Sequence, residues 1–70
     1  MSYRVGKMGY LSVGDIWSVI HWDSEIVLES EKGYVYWRGP CMDTPKGYMD
    51  SKVIYVNPFD NGVRLMLKGD

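Results

Sequence analysis

The sequence predicts an α+β fold in which one N-terminal helix packs on a four-stranded antiparallel sheet built from two hairpins, and three observations predict it. Residues 11–20 carry both a helix-start signal and helical periodicity. Two pairs of strand-like runs follow, 25–30 with 34–38 and 52–57 with 63–68, each pair joined by a glycine-bearing turn. The order helix, hairpin, loop, hairpin puts the helical apolar stripe over a sheet. A small SH3-like β-barrel, with residues 16–22 as a strand after a Val-Gly-Asp turn, is the alternative fold. Residues 1–10 read as a flexible arm or edge strand and 11–70 as a single small α+β domain.

Residues 1–10 hold Gly6, Gly9, Arg4 and Lys7 and too little alternation to mark a clear strand. In the helix, expected over about 12–22, Ser12 sits at the N-cap with Asp15 three residues on, a capping box with Asp in place of Glu. Leu11 and Ile16 fit a hydrophobic staple, and Val13, Ile16, Trp17 and Ile20 fall on one face. Gly14 costs up to about 1 kcal/mol relative to Ala, and Trp, Val and Ile are middling helix formers, so packing must hold this helix.

In the first hairpin Ile26 and Leu28 point inward, and two registers compete. A two-residue Lys-Gly turn pairs Leu28 with Trp37, whereas a three-residue turn with Gly33 as a bulge pairs Leu28 with Tyr36. Arg38 shares a face with Tyr34 and Tyr36, so those three are expected outward, with Val35 and Trp37 in the core. Pro40 and Pro45 make residues 39–47 a break, in which Asp43 or Thr44 can cap one helical turn reaching Tyr48 and Met49. Asn61-Gly62 marks the second hairpin turn, and Val63, Leu65 and Leu67 alternate cleanly with Arg64, Met66 and Lys68.

Seventy residues make one domain, and so short a chain buries only about 60 % of the surface it exposes when unfolded. Cys41 is the sole cysteine, which removes an internal disulfide, and no metal-ligand cluster is visible, so the ten aromatic residues or dimerisation must compensate. Eight basic against nine acidic residues give a net charge of −1, which excludes the strongly basic balance of a general nucleic-acid binder. Between residues 15 and 31 lie Asp15, Asp23, Glu25, Glu29 and Glu31 and no Lys or Arg, so that half presents negative charge. No apolar run reaches a membrane span and the N-terminus lacks a signal-peptide core; with the unpaired cysteine this predicts a cytoplasmic protein.

Taken together, the capped Leu-Ser-Val-Gly-Asp-Ile stretch, then Trp-Asp-Ser-Glu-Ile-Val-Leu, Tyr-Trp-Arg-Gly, Pro-Lys-Gly-Tyr-Met-Asp and a closing hairpin resemble short proteins encoded by bacteriophages and prophages of Gram-positive bacteria. The resemblance covers residues 11–68. It implies a mobile-element setting, where genes this small often specify proteins that bind and block a host enzyme, including anti-CRISPR and other anti-defence inhibitors. It carries over no catalytic residue.

The residues themselves point away from catalysis. His21, the only histidine, falls at the expected helix end, where a cation suits the macrodipole. Cys41 is distant from it in sequence, and no phosphate loop or calcium-loop spacing is present. Tyr34, Tyr36 and Tyr55 with Arg38, Arg64 and Lys68 resemble a surface for single-stranded nucleic acid, although Glu29 and Glu31 share that face. The acidic run suggests a DNA mimic, for which five carboxylates are few. The expectation is a non-enzymatic, protein-binding module of phage type, needing no cofactor, that inhibits a larger host protein such as a CRISPR-type defence enzyme. An uncovered sheet face supplies the anchors Tyr34, Tyr36, Arg38 and Tyr55, beside Met66, and Glu25, Glu29 and Glu31 set charge complementarity at the rim. The same patch can serve as a homodimer seam, and single-stranded nucleic-acid binding is the alternative function.

Overall fold

The computed structural model describes residues 3, 4 and 11–68, the first two as backbone. Its helix begins as the sequence predicts. Ser12 Oγ accepts a hydrogen bond from the Asp15 amide at 3.2 Å, and the Asp15 carboxylate accepts one from the Ser12 amide at 2.9 Å. The amides of Val13 and Gly14 donate to the carbonyls of Ser51 and Met49, so the first turn leaves none of these donors unmet. Gly14 has a structural reason as well: a Cβ there would stand 3.2 Å from the Met49 carbonyl oxygen.

The helix α1 is much shorter than expected, Val13–Trp17 instead of about 12–22. Ser18 Oγ donates to the Asp15 carbonyl, and the amides of Val19 and Ile20 both donate to Ile16, which tightens and ends the last turn. Of the predicted stripe, Val13 and Ile16 are buried and Ile20 packs against the core. Trp17 is instead part-exposed and donates its indole N–H to the Cys41 carbonyl at 2.7 Å. The residues of the alternative barrel's first strand thus begin in helix.

The strands are β1 (Tyr3–Arg4), β2 (Leu11–Ser12), β3 (Glu25–Glu29), β4 (Val35–Pro40), β5 (Lys52–Phe59) and β6 (Gly62–Leu67). They form one mixed sheet in the order β1, β5, β6, β3, β4, with β2 pairing β5 beside β1. The fold is α+β with one short helix, but the four-stranded antiparallel sheet is corrected: strands precede the helix, and the hairpins join through a parallel pair, β3 with β6. Of the arm over residues 1–10, only β1 is placed, antiparallel to β5 at Tyr55 and Val56; the rest lies outside the described residues. The parallel pair has a sequence signal that alternation missed. Ile26, Val27 and Leu28 are consecutive and all buried, the continuous apolar run of a central strand in parallel pairing.

The first hairpin mixes the two predicted registers. Gly33, at φ +85°, closes a three-residue turn between Ser30 and Tyr34, while Leu28 still pairs with Trp37 because the ladder slips by one residue and Glu29 faces Val35. Tyr36 is the extra residue of that bulge. In the second hairpin the turn is Asp60-Asn61, and Gly62 is a strand residue, not a turn residue. A Cβ on Gly62 would overlap the backbone carbonyl of Glu25, so glycine is needed there for close strand approach.

Pairing directions make both long connections crossovers between parallel strands, β2 to β3 through α1 and β4 to β5 through residues 41–51. The second contains two 3-10 turns, Cys41–Asp43 and Lys46–Tyr48; no side chain caps either, so the capping role read for Asp43 or Thr44 is not realised. The hydrogen bonds from Val13 and Gly14 to residues 51 and 49 put both crossovers on one face. Beneath them lies the core of Val13, Ile16, Ile26, Leu28, Cys41, Val53, Val63, Leu65 and Leu67.

Candidate protein-binding surface

The sheet's other face is crossed by no element among the described residues. On it the register sets Val27 directly between Arg38 of β4 and Arg64 of β6, with Tyr55 opposite Met66 further along. Val27 is nevertheless only 4 % exposed, and the two side chains that flank it across the sheet are long arginines, whose stems are able to cover apolar surface. Both guanidinium groups are engaged: Arg38 holds Glu25 at 2.6 Å, and Arg64 lies 3.8 Å from Glu29. The carboxylate beside each guanidinium group weakens the attraction of this face for a phosphate.

The predicted set therefore divides. Arg38, Tyr55, Glu25 and Glu29 occupy the uncovered face. Tyr36 does not join them, since the bulge turns it toward the crossover segment, where its ring lies 6.5 Å from that of Tyr48. Tyr34 follows Tyr36, edge to face at 6.3 Å between ring centres, and is 71 % exposed. Val35 and Trp37 were expected in the core, yet Val35 is exposed, facing Glu29, while Trp37 packs against the core. Tyr55 stands three strand spacings from β4, roughly 14 Å. The seven residues thus form no single patch; Glu31 is exposed in the Glu31–Gly33 turn.

What the structure does assemble is an aromatic ridge along the free edge of β4. Tyr34 and Tyr36 project there with Tyr48 behind them, and no described strand pairs with the outer side of β4. The ridge was only partly legible, because Tyr48 reaches it through a crossover with no local signal. No protein-family model, curated protein or solved structure matches this chain.

The residues considered for catalysis lie elsewhere. The helix ends four residues before His21, so the macrodipole role is lost; its ring instead bonds the Asp23 carboxylate and stacks on Trp22 at 5.7 Å. Cys41 is buried with its thiol 3.8 Å from the Trp17 carbonyl, and burial pushes its pKa above the ordinary value, away from nucleophilic use. Among the described residues no three His, Cys, Asp or Glu side chains converge as a metal site, and no helix is long and apolar enough to cross a membrane.

Proposed function

We propose that this protein is a non-enzymatic binding module that docks on a larger protein through the β4 edge, with Tyr34 and Tyr36 as the anchors. The supporting observation is the coincidence of an unpaired strand edge with exposed tyrosines. A six-residue edge offers backbone donors and acceptors to an extended segment of a partner, and tyrosine is among the side chains that dominate interface energies. The uncovered face next to it, with its Glu25–Arg38 and Glu29–Arg64 pairs, provides the charge pattern that orients the partner. With Tyr36 turned from the arginines and both arginines engaged, this reading has more support than capture of single-stranded nucleic acid.

The biological role that fits is the one the resemblance implies, an accessory protein of a phage or mobile element that inhibits a host protein, such as a CRISPR-type defence enzyme, by occupying a surface it needs. Blocking requires no chemistry from the chain itself. The test is affinity capture from a bacterial lysate with three forms: wild type, Tyr34→Ala with Tyr36→Ala, and Tyr55→Ala. The double variant is expected to keep its circular dichroism spectrum and lose the captured partner by at least tenfold, while Tyr55→Ala retains it. Undiminished capture by a folded double variant overturns the site, and a salt-sensitive complex with mixed-sequence oligonucleotides as the sole interaction overturns the function.

A further inference from the structure

At the opposite end of the strands from the Tyr34 turn, a cleft of about 1000 Å³ opens between the end of α1 with its connector and the tip of the β5–β6 hairpin. Ile16, Val56 and Val63 belong to its lining, together with Leu11, Val19 and Phe59, which are large apolar side chains left facing water. This volume is at the upper end of what small-molecule sites offer, more than one side chain can fill. His21, Asp23 and Asp60 also line the cleft, and none of the described lining residues is Lys or Arg. Asp23 is already bonded by His21, whereas no described residue donates to the Asp60 carboxylate.

We infer that the cleft is a second binding site, separate from the β4 edge, for a peptide segment of a partner protein that carries an apolar side chain flanked by Lys or Arg. The apolar side chain removes Leu11, Val19 and Phe59 from water, and the flanking cation meets Asp60 at the rim. The charge balance decides among occupants. With Asp60 and Asp23 in the lining and no Lys or Arg among the described lining residues, the cleft disfavours anionic lipid headgroups, phosphates and nucleic acid.

The test is an NMR titration of the full chain, labelled with nitrogen-15, using blocked hexapeptides that hold one Phe or Leu between lysines, against the same peptides with glutamates. The lysine peptides are expected to shift the amides of Val19, Ile20, Phe59 and Asp60 saturably, and the glutamate peptides to bind at least tenfold more weakly. Asp60→Asn combined with Asp23→Asn should weaken the lysine peptides several-fold, as should Val19→Ser, while the rest of each spectrum stays native. Absence of saturable shifts, equal affinity for both peptide sets, or cleft shifts that instead track protein concentration as in self-association would each overturn the inference. Because the readout residues are remote from Tyr34 and Tyr36, failure here leaves the edge proposal standing, and loss of the edge proposal leaves this one standing.

Discussion

At the scale of single residues, two glycines with the same formula carry opposite consequences. Gly62 has the Glu25 carbonyl where its side chain would be, so Gly62→Ala must push β3 away from β6; overpacking of this kind costs about 1–3 kcal/mol. Gly47 has nothing within 4 Å of the same position and an ordinary φ, so Gly47→Ala is expected to change stability by no more than about 0.5 kcal/mol. Urea midpoints of the two variants check this, and equal midpoints would refute the strand-approach argument. Cys41 offers a second measurement at this scale. Its burial and raised pKa predict that iodoacetamide labels the folded chain many times more slowly than the urea-unfolded chain at pH 8; equal rates would mean the thiol is open.

At the scale of elements, the capping box was fully legible and the helix length was not. Ser12 and Asp15 act on each other across three residues, so local sequence suffices to specify them. The last turn of α1 is closed by the bonds of Ser18, Val19 and Ile20, and its final residue, Trp17, is held by the Cys41 carbonyl, 24 residues away. Ser12→Ala should cost about 1 kcal/mol, readable as a lowered thermal midpoint. The Ser12 amide and hydroxyl hold the Asp15 carboxyl below its ordinary pKa. A carboxyl with a depressed folded-state pKa contributes stability that is present above its unfolded pKa and is lost as pH falls through the folded value. The difference in midpoint between wild type and Asp15→Asn should therefore be present at neutral pH and vanish on acidification below the carboxylate range. A pH-independent difference would show that the charge is not involved. In the β3–β4 hairpin the two turn chemistries were both visible in Lys32-Gly33, but the bulge at Tyr36 was not. It follows from fitting a three-residue turn to a ladder whose other end is fixed by the core pairing of Leu28 with Trp37.

At the scale of the whole molecule, the parallel contact of β3 with β6 turns two hairpins into one sheet, and the core residues cluster on the covered side of it. Leu65 is fully buried in that central pair, and Leu65→Ala is expected to cost about 2–5 kcal/mol, against a total of only about 3–5 kcal/mol for a core this small. The variant should be largely unfolded by circular dichroism at 37 °C; a native spectrum with a cooperative transition near that of wild type would contradict the placement of the core. The sequence by itself determined the α+β class, the cap at Ser12, most of the strands, and the alternation of Val63, Leu65 and Leu67. Each of these is set by side chains a few positions apart, through spacing, propensity and local hydrogen bonding. Only the tertiary structure decided which strands lie side by side, that Tyr36 leaves the face of Arg38 to meet Tyr48, and that Leu11, Val19 and Phe59 share a cleft. These depend on the order in which two hairpins and a helix dock, and docking is governed by the summed burial of distant residues, which no short stretch of chain records.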